Sequence, residues 1–91
     1  MSIKHDPANQ QFTTTHNGHA AELAYARPND GVIDFTHTFV DEAVRGQGVA
    51  DELARTALAY ARTEKLKVKT TCTFMADFVK NHHAEYADLL A

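Results

Sequence analysis

The spacing of hydrophobic and polar positions changes halfway along the chain. Up to Val40 the apolar residues come in short runs broken by turn residues. Gln10–Thr15, with Phe12 and three threonines, suits a strand. His16-Asn17-Gly18-His19 reads as a turn, with Asn-Gly supplying easy positive φ. His19–Arg27 follows. Its alanines and Glu22 fit a helix as well as a strand, but the Asn-Gly turn behind it and Pro28-Asn29-Asp30-Gly31 ahead favour a strand. Val32–Val40, rich in β-branched and aromatic residues, is the clearest strand, and the three together predict an antiparallel meander.

From Val49 the period lengthens. Ala50, Leu53, Ala54, Ala57, Leu58 and Ala61 fall on one helical face, with Asp51, Glu52, Arg55 and Arg62 on the other, so a helix is expected to run to about Glu64. Leu66–Thr71 alternates, with Leu66, Val68 and Thr70 opposite Lys67 and Lys69, and predicts a fourth strand. Strand, long helix and strand form a crossover, which sets the fourth strand parallel to the third. Thr73–Asn81 predicts a second helix and Ala84–Leu90 a short last one. Met1–Asn9, polar and holding Pro7, is expected to be a loose arm. The fold class is α+β: a meander plus a β-α-β crossover, giving a four-stranded mixed sheet backed by helices.

Composition narrows the function classes. Ninety-one residues make one domain, 44% apolar, with no internal repeat. Nine basic against 12 acidic residues give a net charge of −3, which argues against a general nucleic-acid binder. No apolar run resembles a signal peptide or a membrane span. The lone Cys72 forms no internal disulfide, consistent with a reducing compartment, so a small soluble cytoplasmic protein is expected. The six histidines show no metal-ligand spacing; His82 and His83 are adjacent, and neighbours on a helix point about 100° apart. No metal is expected.

The most informative segment is Val44-Arg45-Gly46-Gln47-Gly48-Val49-Ala50, between a strand and the long helix. A helix start offers unpaired N–H groups and the positive end of the dipole. Two glycines let a ligand approach the backbone, and Arg45 adds a mobile cation. Such a loop can seat a phosphate or diphosphate. Glycine before a helix is common, however, and neither the dinucleotide nor the Walker pattern is complete. Asp41 and Glu42 would repel an anion, and Asp51 and Glu52 can satisfy the helix dipole unaided.

Arg45-Gly46-Gln47-Gly48-Val49-Ala50 resembles the Arg/Gln-x-x-Gly-x-Gly/Ala motif of the GNAT superfamily of acyl-CoA N-acyltransferases. The resemblance extends to a small single-domain subfamily through Thr36-His37-Thr38-Phe39-Val40, Thr71-Cys72-Thr73-Phe74 and Ala84-Glu85-Tyr86, covering about Gly18 to Leu90. It implies acetyl-CoA or coenzyme A as cofactor. The amides of Arg45, Gly46, Gln47, Gly48, Val49 and Ala50 would hold the pyrophosphate, and Thr38, Phe39 and Val40 would run beside the pantetheine. Asn81 and Lys80 would add contacts from the second helix. An amide near Val40 would polarise the thioester carbonyl. The third and fourth strands would splay to leave a slot for it.

His37 and Cys72 are the candidate catalytic residues. By alternation His37 shares a face with Ile33, Phe35 and Phe39, where a hydrogen-bonded core histidine is the plain expectation; the resemblance makes it a general base. Cys72 is either a small buried hydrophobe or, at a helix start, a nucleophile or acid. The reaction implied is transfer of acetyl to an unidentified amine. A typical member of the superfamily carries helices between its first strands that form much of the acceptor side, and this chain has no room for them. The acceptor side is therefore open, completed by a second copy in a homodimer, or unused. Two other readings stay open: an acyl-CoA sensor that transfers nothing, and an interaction domain whose glycines merely shape a turn.

Overall fold

The computed structural model describes residues 2–91. Five strands form one mixed sheet in sequence order. They are β1 (Ile3–Asp6), β2 (Gln11–His16), β3 (His19–Asn29), β4 (Val32–Val40) and β5 (Lys67–Thr70). The first four are antiparallel, and β5 lies parallel to β4. The meander and crossover stand as the hydrophobic spacing predicts. The β2–β3 turn uses Asn17 and Gly18, both at positive φ, the pairing that suits a tight hairpin.

The loose arm is corrected over Ile3–Asp6, which form a strand; Met1, also placed in the arm, lies outside the described residues. Lys4 pairs with Thr13 and His5 with Phe12. The Thr14 hydroxyl donates to the Ser2 carbonyl at 2.6 Å. His5 stacks on Phe12 with centroids 4.3 Å apart, meets Tyr60 edge-on, and its Nε2 lies 2.6 Å from the Tyr25 hydroxyl. Pro7 opens a short 3-10 turn, capped by Asp6, that reverses the chain into β2. These partners are remote in sequence, so local propensity gives little sign of them.

Helix α1 (Val49–Thr63) buries the stripe its spacing predicts: Val49, Leu53, Ala54, Ala57, Leu58 and Ala61. It packs with α2 (Thr73–Asn81) against Phe12, Leu23, Tyr25, Ile33, Phe35 and Val68 in one core. The expected last helix is shorter. α3 (His83–Tyr86) tightens into a 3-10 turn over Ala87–Leu89, and Leu90 then runs beside Val68. The tail thus covers part of the β5 edge, pinned by Arg62 on Asp88 at 2.6 Å and by Ala91 N–H on the Val68 carbonyl. The helices cover one face of the sheet. Along the other, Lys4, Thr15, Ala20, His37 and Phe39 are exposed, and Thr13, Glu22 and Ala24 half-buried.

Candidate functional site

The register of β4 decides what each of its side chains can reach. Tyr25 pairs with Phe35 and Ala24 with His37, so Thr36 is an extra residue with no partner. It forms a bulge, and a bulge shifts the period-2 alternation by one. Ile33 and Phe35 point into the core before it. Beyond it, Thr38 pairs with buried Leu23, and Val40 with buried Ala21. His37 and Phe39 therefore point to the open face. The expectation that His37 shares a face with Ile33 and Phe35 is corrected on this ground, and with it the core-histidine reading. The sequence held one hint: Phe39 and Val40 stand side by side, which leaves the phase of the strand undecided.

The same bulge marks where the strands part. Pairing between β4 and β5 ends at Phe35 and Thr70, and Cys72 N–H closes the ladder on the Phe35 carbonyl at 2.8 Å. β4 runs on to Val40 with no neighbour on that side. Asp41 N–H bonds the Ala20 carbonyl. Antiparallel ladders alternate, so the main-chain groups of Phe39 turn toward β3 while those of Thr38 and Val40 face the open edge. The third and fourth predicted strands part at this edge.

Cys72 caps the start of α2, is 8% exposed, and sits with its sulfur 3.2 Å from the Thr38 hydroxyl. The contact follows from the shifted phase, and alternation alone misses it. The structure brings Cys72 to Thr38 on the covered face and leaves His37 on the other. Asn81 is exposed in the last turn of α2, and its side chain makes no hydrogen bond among the described residues.

After β4, Asp41 caps a 3-10 turn over Glu42–Val44, accepting from Ala43 N–H at 2.9 Å. That bond, with His19 beside it, holds the Asp41 carboxyl below its ordinary range. Gly46 and Gly48 follow at φ of 79° and 80°, a conformation open to glycine and costly for most other residues. A Cβ at either position would meet nothing within 4 Å, so the backbone there faces open space. Gly48 precedes α1 without a side-chain cap, which leaves the first N–H groups of a 15-residue helix free of one. A cavity of about 280 Å³ lies over this turn, lined by Val40, Val44, Arg45, Gly46, Gly48 and the first residues of α1.

Arg45 is less mobile than expected. Its Nε donates to the Val40 carbonyl at 3.1 Å, which leaves the outer guanidinium nitrogens available. The loop has neighbours that the sequence did not suggest. Gln47 Oε1 accepts from His16 Nε2 at 3.0 Å and its Nε2 reaches back to the Ala43 carbonyl, while His19 lies 3.4 Å from Asp41. The β2–β3 turn therefore leans on the glycine loop. No group of three or more potential metal ligands occurs among the described residues.

The family profile described as GCN5-related N-acetyl-transferase matches residues 11–89. Protein NATD1 of Homo sapiens is 37% identical over 84 residues, covering 90% of this chain and 74% of its own. Protein NATD1 of Danio rerio is 35% identical, covering 97% and 83%. The solution structure of a GCN5-like protein of Staphylococcus aureus, described as a candidate N-acetyltransferase, superposes with a TM-score of 0.75 at 27% identity, over 99% of this chain and 87% of that one. By the profile match and these relatives, the chain belongs to the GCN5-related N-acetyltransferase family.

Proposed function

We propose that the protein binds acetyl-CoA across the Arg45–Ala50 loop and the free edge of β4, and passes the acetyl group to an amine. The observation that carries this reading is the pair of left-handed glycines with open space above them, set before an uncapped helix start and beside an unpaired strand edge. The donor set suits a diphosphate: main-chain N–H groups at the head of α1, with the outer nitrogens of Arg45 adding charge. Asp51 at the rim opposes it, and main-chain donors tolerate that better than a lone cation would.

Acetyl-CoA, when bound, supplies an activated thioester carbonyl. Thr38 and Val40 offer their N–H and C=O groups to an amide-bearing arm laid along the edge. An N–H on this edge polarises the carbonyl oxygen. His37, on the open face, accepts the proton that the amine sheds as its nitrogen bonds to the carbonyl carbon. Cys72, on the covered face, gives a proton to the sulfur as the C–S bond breaks, and solvent restores both groups. An acyl-cysteine route would need the acetyl group to enter the covered side and leave from the other, so direct transfer is the simpler path. Phe39, whose main chain serves β3, contributes its side chain rather than its backbone, and Asn81 stays outside the mechanism.

Calorimetry with acetyl-CoA tests the reading on the wild type, Arg45→Ala and Gly48→Asp. Arg45→Ala is expected to weaken binding by about ten-fold, the worth of one exposed charge-assisted contact. Gly48→Asp, which adds backbone strain and a carboxylate at the anion seat, should abolish it while the thermal transition persists. Equal weak heats from all three proteins overturn the proposal. The sensor reading is favoured by the separation of His37 from Cys72 on opposite faces. It prevails if acetyl-CoA binds but no amine is acetylated.

A further inference from the structure

A second concavity, larger than the one over the glycine loop, lies elsewhere. It is a trough of about 520 Å³ on the open face of the sheet. One cross-strand row forms its floor and walls: Lys4 on β1 pairs with Thr13 on β2, Thr13 with Glu22 on β3, and Glu22 with Phe39 on β4. Thr15 and Ala20 continue the floor in the next row. The middle of the trough is thus Thr13, Thr15 and Ala20 with the carboxylate of Glu22 beside them, Phe39, 42% exposed, along one wall and Lys4 on the other. Among the described residues neither Lys4 nor Glu22 takes part in an ion pair; the three pairs present are His19–Asp41, Arg55–Glu85 and Arg62–Asp88. His37 stands two residues from Phe39 on the same strand and face, opposite Ala24, one cross-strand row beyond the lining of the trough.

The charges have a pattern. Glu22 beside an aromatic face suits an ammonium group, which gains from both the carboxylate and the ring. Lys4, two strands away at roughly 10 Å, suits a carboxylate. His37 lies diagonal to Glu22, at about 7–8 Å, roughly the length of a four- or five-carbon chain. An amine about to react at His37 must be neutral, so the cation that Glu22 holds is a second nitrogen. We propose, on the footing of the transfer reading above, that this trough is the acceptor site and that it takes a free basic α-amino acid. The α-carboxylate sits at Lys4, the α-ammonium sits between Glu22 and Phe39, and the terminal amine reaches His37.

A titration of the labelled protein with L-lysine, followed by amide NMR without acetyl-CoA, tests the site apart from the cofactor. Shifts are expected at Lys4, Thr13, Glu22 and Phe39. Glu22→Gln and Lys4→Gln should each weaken them by about ten-fold, with the rest of the spectrum unchanged. Cadaverine, which lacks the carboxylate, 6-aminohexanoate, which lacks the α-ammonium, and a peptide-like lysine blocked at both ends should all bind more weakly than lysine. Shifts elsewhere, no shifts at millimolar lysine, either variant binding as the wild type does, or a blocked lysine equal to the free amino acid overturns the assignment. Lysine shifts in a protein that fails to bind acetyl-CoA would instead count against the transfer reading and leave the trough's ligand standing.

Discussion

Thr36 governs more of this molecule than its unremarkable side chain suggests. One unpaired residue turns His37 and Phe39 outward and brings Thr38 to Cys72. The consequence is measurable in stability. His37→Ala should leave the urea midpoint nearly unchanged, as surface substitutions do, within about 0.5 kcal/mol. Phe35→Ala, two positions earlier but fully buried, should cost about 3–5 kcal/mol. Similar losses for both would mean that the strand keeps a single phase through the bulge. The glycine loop was legible because positive φ narrows the choice of residue. The bulge was not, because any residue can be the extra one, and only pairing with β3 reveals it.

At the scale of elements, α1 and β4 were legible with bounds close to those observed, α1 by its helical spacing and β4 by its run of β-branched and aromatic residues. β1 was not. It has four residues, and its stability comes from His5 lodged among Phe12, Tyr25 and Tyr60. Burial there lowers the pKa of His5 from its ordinary 6.5, although Asp6 pulls the other way. The unfolded chain therefore takes up this proton first. The neutral ring's contribution is intact above the ordinary value and declines as pH falls from about 6.5 toward the lower folded value. Hydrogen exchange of the β1 amides, corrected for intrinsic rates, should accelerate across this window relative to β3, and His5→Gln should remove the difference. The carboxyls of Asp6, Asp41 and Asp88, all held below 3.8 by their partners, add a separate loss only at more acid pH.

The whole molecule is a sheet with a covered face and an open one, within a Cα radius of gyration of 12.4 Å, as the about 12 Å expected for its length. The covered face owes its stability to packing more than to surface charge. Arg62 binds Asp88 and the Glu85 carbonyl, yet all lie in solvent, and exposed pairs contribute little. Arg62→Gln should therefore barely move the thermal midpoint. Leu89→Ala, which empties a buried position under the tail, should cost about 2–3 kcal/mol. A larger effect from the arginine than from the leucine would show that charge, and not packing, fastens the tail. The crossover and the one-sided helices followed from sequence order. The trough did not, because its row is assembled from four strands whose alignment depends on three turns and on the irregular register between β3 and β4.

Between Phe35 and Thr38 the chain keeps three accounts at once: where the core ends, where the neighbouring strand departs, and which way the imidazole points. All three hinge on length and none on the identity of residue 36. Position 36 can exchange its letter freely, but the stretch around it can neither gain nor lose one.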